Sequence, residues 1–71
     1  MMGEHEAEVL EVNDVSLHGL AFRDVTLRSA DGAIDRARLG PEGVPDDLRS
    51  GERVLATKVA NVVISLRRST G

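Results

Sequence analysis

The sequence predicts an all-β domain, a small five-stranded barrel with one short helical turn before the fourth strand, and three observations carry that expectation. Aliphatic residues recur two apart in short runs, as in Leu10 and Val12, Val15 and Leu17, and Val25 and Leu27. That is the period of a half-buried strand. Asp31-Gly32 stands between two such runs and supplies the positive φ that a tight hairpin needs. Residues 53–68 are rich in Val, with Ile64 and Thr57 among them, and such side chains lose rotamer freedom in a helix and favour a pleated surface.

Residues 1–6 show no apolar periodicity and read as a flexible acidic tail. A first strand is expected over 7–12, followed by a turn or bulge at Asn13-Asp14. Val15 and Leu17 alternate, His18-Gly19 interrupts, and the next run places Leu20 and Phe22 on one parity but Val25 and Leu27 on the other. A change of parity requires an extra residue or a break, so a bulge or bend is expected at Arg23-Asp24. Two loops fit the Asp-Gly signal. A two-residue Asp31-Gly32 loop sets Leu27 beside Arg36. A three-residue loop, Ala30-Asp31-Gly32, sets Val25 opposite Ala37 and Asp24 opposite Arg38, which sorts apolar from charged and is preferred.

Residues 40–51 hold both prolines and three of the seven glycines and exclude a strand. Pro45 can open a helical turn, Asp46 and Asp47 suit its positive end, and Gly51 can close it. The expectation is one turn over 45–49 with Leu48 pointing inward. After it, a hairpin turning at Ala60-Asn61 sets Val59 against Val62, Thr57 against Ile64 and Leu55 against Leu66 as the inner pairs, with strands over 53–59 and 62–68. The opposite side, with Val54, Ala56, Lys58, Val63 and Ser65, is mixed. A single β-barrel domain over 7–68, with a tail at 69–71, follows, because closing the sheet removes exposed edges.

At 71 residues the chain is one domain, in which roughly 60% of the extended surface can be buried. With one Phe and no Trp, Tyr or Cys, neither large rings nor disulfides reinforce that thin core. Small domains of this kind recruit a second copy to bury more surface. The net charge of −3 and pI of about 5.2 argue against a nucleic-acid backbone as the natural partner. No apolar run reaches the ~20 residues of a membrane span, and the start is acidic where a secretory leader is basic. The expected setting is cytoplasmic, with no membrane partner.

The segment from Val44 to Leu66, with Leu48, Gly51, Glu52, Arg53 and Val54 and the region from Lys58 to Val62, resembles the last part of small barrels of the oligonucleotide/oligosaccharide-binding (OB) type. It is similar to the transport-associated barrel that binds oxyanions such as molybdate, and to the soluble barrel at the end of NfeD-type membrane proteins. The resemblance covers the last third of the chain. It implies an OB-like fold and carries over no ligand site.

Of the candidate chemistry, Glu4, His5, Glu6, Glu8 and Glu11 place metal-ligating types close together, but an acidic terminus is ordinarily solvated charge. His18 is read as a turn histidine. Arg36, Arg38, Arg53, Lys58 and Arg67 form a candidate basic strip for phosphate or carboxylate. The competing reading is that Asp24, Asp35, Asp46, Asp47 and Glu52 neutralise these cations. Single-strand binding also draws on stacking against aromatic rings, and only Phe22 is available. No nucleophile-base pair, carboxylate pair or phosphate-binding glycine loop stands out, so neither a catalytic residue nor a cofactor is assigned. The expected function is a non-enzymatic binding or assembly module acting through self-association or a protein partner. The alternative is an OB-like domain recognising nucleic acid or a small oxyanion on the basic strip.

Overall fold

The computed structural model describes residues 2–69. Its one antiparallel sheet contains β1 (Met2–Leu17), β2 (Leu20–Ser29), β3 (Ile34–Leu39), β4 (Arg53–Val59) and β5 (Val62–Arg68) in the order β3-β2-β1-β4-β5. β1 is the shared strand. Residues 2–8 pair with β4, and the ladder to β2 begins at Ala7 and runs to Leu17. Residues 2–6, expected as a tail, therefore lie within the sheet. Glu4 and Glu6 alternate with Gly3 and His5, and a charged, period-2 pattern suits a strand whose outer face is wet. At the other terminus, Ser69 N–H donates to the Arg53 carbonyl at 3.2 Å, and the rest of the expected tail lies outside the described residues.

The expected bulge exists but sits on the other strand. The β1–β2 register shifts between Val9 and Glu11, so that Val9 meets Leu27 and Val12 meets Val25 while Leu10 is the extra residue. Both valines thereby turn inward. β2 is regular through Arg23 and Asp24, and β1 continues through Asn13-Asp14 without a turn. The parity change that suggested a bend in β2 is resolved by leaving Leu20 and Phe22 off the core face.

Two hairpins follow their turn chemistry. Gly32 has φ 88 and Gly32 N–H donates to the Ser29 carbonyl at 2.9 Å, closing the three-residue loop. Val25 then meets Ala37 and Asp24 meets Arg38, as the charge sorting predicts. At Ala60-Asn61 both φ values are positive, 51 and 67, the geometry that matches strand twist in a two-residue hairpin.

Beyond that turn the expected pairing slips. Val59 meets Val62, but Thr57 meets Ser65 and Leu55 meets Arg67, with a shift at Thr57/Lys58 that leaves Ile64 as the extra residue of β5. This bulge brings Val63 and Leu66 to the same side as Val54 and Ala56, and those four are buried. The inner face is therefore the one read as mixed, and Leu55 and Thr57 lie on the outer one.

The core joins these four to Ala7, Val9, Val25, Leu27 and Leu39, with Val44 and Leu48 inserted from the connection between β3 and β4. Leu48 plugs inward as expected. The helical turn, however, is a 3-10 turn at Pro41–Gly43 rather than one over 45–49; Asp47 has φ 60, which no right-handed helix admits.

The sheet does not close into a barrel. β3 and β5 approach each other but share no ladder. The 3-10 turn packs on β5 so closely that a Cβ at Gly43 would stand 3.3 Å from the Ile64 carbonyl oxygen. On the inner side, Lys58 of β4 reaches past β5 to β3, its Nζ lying 3.1 Å from Asp35 Oδ2. A turn and an ion pair thus span a seam that a barrel would fill with main-chain hydrogen bonds.

Candidate functional site

Strand alternation puts Arg36 and Arg38 on the outer face of β3, and Arg53 and Arg67 on the outer face of β4 and β5, at opposite ends of the strand order. Lys58 lies on the inner side. Because β3 and β5 approach each other, the four outer arginines border one seam, and Lys58 stands apart from them on the other face. Arg38 makes a two-pronged bond to Asp24 at 2.7 and 2.9 Å, Arg67 does the same to Glu4 at 2.8 and 3.1 Å, and Lys58 is held by Asp35. Arg36 and Arg53 make no ion pair among the described residues.

Other charges are similarly matched. Arg28 binds Glu8 at 2.7 Å, and Arg68 binds Glu52 at 2.8 Å and the Asp46 carbonyl at 2.8 Å. Hydrogen bonds from Arg67, Arg38 and Arg68 hold the carboxyls of Glu4, Asp24 and Glu52, respectively, below the ordinary range, and Glu52 also accepts the Arg49 N–H. The acidic residues of β1 do not converge: Glu4, Glu6 and Glu8 face outward while His5 pairs beside inward Ala56. Among the described residues no three His, Asp or Glu side chains gather as metal ligands.

Two clefts stand out. One, of about 560 Å³, opens at the end of the sheet beside Lys58, His5, Asp31 and Asn61. The other, of about 410 Å³, was not found by reading the sequence. It lies between the end of the β1–β2 hairpin and the connection after β3, lined by Asp14, Ser16, Ala21, Phe22, Arg23, Pro41, Val44 and Asp46 on its principal walls, with Val15 completing it. It arises because β2 is ten residues long and β3 six, so the hairpin projects past its neighbour. The sequence signal was the strand pattern resuming through Val15 and Leu17 right up to His18-Gly19. Arg23 ties the two walls, its Nη1 donating to the Pro45 carbonyl at 3.1 Å and its Nε lying 3.3 Å from Asp14 Oδ1.

The surface also carries large aliphatic side chains that the core does not use. Leu20 is 63% exposed, Val62 60%, Ile34 49% and Ile64 46%. They sit on hairpin ends and on the two strands that border the seam. Among the described residues, no helix is long and apolar enough to cross a membrane. No family model, curated protein or solved structure matches this chain.

Proposed function

We propose that this domain is a non-catalytic association module of OB-like architecture, working through contact with a second copy or another protein. One observation carries it: Leu20, Val62, Ile34 and Ile64 are exposed on a domain of 71 residues with a thin core. Burying the exposed half or so of each at an interface contributes on the order of 1 kcal/mol each, a motive for association. The OB-like part of the reading is supported by the connectivity, in which β1 is shared between two wings and a short helical turn precedes β4. Partly open barrels belong to that class.

Recognition of nucleic acid or an oxyanion has less behind it, since Arg38, Lys58 and Arg67 are already neutralised by carboxylates. The test is sedimentation velocity over a wide concentration range, for the natural chain and for the combined Leu20→Ser, Val62→Ser, Ile64→Ser variant. The natural chain is expected to gain mass with concentration, to about the high micromolar range typical of weak self-association, and the variant to stay monomeric. A natural chain that stays monomeric throughout removes the second copy as partner.

A further inference from the structure

We propose that the unpaired edge of β1, residues 11–17, accepts an extended basic peptide of another protein as an added strand, with the neighbouring cleft taking side chains from it. This rests on the association reading above and names the partner class.

The main chain provides the first argument. The β4 ladder ends at Glu8 opposite Arg53, and just beyond it Val9 N–H donates to the Glu52 carbonyl at 2.9 Å and Gly51 N–H donates to the Val9 carbonyl at 2.7 Å. From there to Leu17, β1 has β2 alone as a strand neighbour. In an antiparallel ladder, alternate residues turn their N–H and C=O groups to opposite sides. Counting back from the two-residue turn, where Leu17 meets Leu20, Leu17, Val15 and Asn13 bond toward β2. Val12, Asp14 and Ser16 turn away from it. None of those three takes part in a backbone bond to a loop or turn among the described residues. A row of unpaired main-chain groups is a template for another strand. The edges of β3 and β5, by contrast, lie along a seam that the 3-10 turn and the Lys58–Asp35 pair span.

Charge supplies the second. Glu11 and Asp14 border the edge, Asp46 lines the cleft and Asp47 follows it; all four are exposed, the Asp14 side chain 87% so. The cation of the cleft, Arg23, offsets Asp14 through their ion pair and donates to the Pro45 carbonyl, and Arg68, bonded to the Asp46 carbonyl, is matched by Glu52, so Glu11, Asp46 and Asp47 are the acidic excess. An incoming strand with Lys or Arg at alternate positions meets carboxylates, and an acidic one is repelled. The third argument is the cleft itself. It runs beside this edge on the inner side, and Ala21, Val44 and Pro41 offer aliphatic surface between Asp14 and Asp46. Main-chain bonds would provide affinity and this mixed lining the preference for basic over acidic sequences.

The experiment titrates the full chain with an acetylated, amidated peptide of alternating lysine and valine, about as long as a typical strand, and with its glutamate-valine counterpart. Binding is followed by two-dimensional amide NMR and by anisotropy of labelled peptide. The lysine peptide is expected to shift residues 11–17 and 44–47 and to protect the Val12, Asp14 and Ser16 amides from exchange, with the glutamate peptide at least about tenfold weaker. Ser16→Pro removes one outward N–H and leaves the bonds to β2 in place, a substitution that edge strands tolerate; it should abolish protection while its amide spectrum stays folded. Glu11→Lys with Asp46→Lys should weaken the lysine peptide by about tenfold or more and leave the Arg23–Asp14 pair in place. Equal binding of the two peptides, shifts centred elsewhere, or undiminished affinity in folded Ser16→Pro overturns the proposal. Peptide failure alongside concentration-dependent sedimentation rejects this edge alone; failure of both rejects the association reading as well.

Discussion

Replacing Val54 with Ala should destabilise the domain more than replacing Leu55 with Ala, although the leucine loses more carbon. Val54 is fully buried, opposite Ala7 on β1, whereas Leu55 is half-buried on the outer face between Glu6 and Arg67. Val54→Ala removes two carbons at about 0.8 kcal/mol each, and the cavity left in a core that relaxes only partly raises the loss to about 2–3 kcal/mol. Leu55→Ala removes three carbons at about 0.8 kcal/mol each, but from a position of intermediate exposure with no enclosed cavity to add, so the loss is about 1.5–2 kcal/mol. A chain of this length is expected to have about 4–11 kcal/mol of total stability, so both variants should fold. The chain has no Trp and no Tyr, and urea unfolding is therefore followed by far-ultraviolet circular dichroism. With a slope near 1 kcal/mol per molar urea for a domain this small, the Val54 variant should shift its midpoint by about 2–3 M and the Leu55 variant by about 1.5–2 M. If Leu55→Ala equals or exceeds Val54→Ala, the β5 bulge at Ile64 is misplaced and the inner face of β4 is the one with Leu55 and Thr57.

Ala60 sits at φ 51 in a turn where both central residues are left-handed, so Ala60→Gly should stabilise the domain by about 0.5–1 kcal/mol, the strain of a side chain there outweighing the added freedom of the unfolded chain; an unchanged or lower urea midpoint would contradict the turn geometry. The depressed carboxyls of Glu4, Asp24 and Glu52, held down first by hydrogen bonds from Arg67, Arg38 and Arg68, make a signed prediction about acid. A carboxyl whose folded value is below its unfolded one contributes its full share above the unfolded value and loses it as pH falls through the folded one. Glu52→Gln should therefore be less stable than the natural chain near neutrality, with the difference shrinking in acid and in high salt, because these groups are exposed and screened. Curves that stay parallel down the acid limb would show that the Arg68 bond does not form in solution.

Features that depend on a few consecutive residues are readable from the chain alone. The β class follows from period-2 aliphatics, the β2–β3 register from the φ freedom of Gly32 and the need to set Asp24 by Arg38, and the last turn from Ala60-Asn61. Leu48 was legible as a plug because it is the one leucine in a proline- and aspartate-rich connection. Asp24 and Asp35, which hold Arg38 and Lys58, were among the carboxylates named as neutralising partners, and Asp24 was set opposite Arg38 by the hairpin; Glu4, which holds Arg67 from the far end of the chain, was not. Where the bulges fall is set by long-range packing, and each bulge exchanges the two faces of its strand. Leu10 turns Val9 and Val12 inward together, and Ile64 turns Val63 and Leu66 toward Val54 and Ala56. Neither residue announces this locally, since the choice lies with the partner strand that must be covered. The same holds for residues 2–6, a strand only because β4 lies alongside them, and for the seam, where Gly43 brings a turn against β5 and keeps β3 from zipping to it.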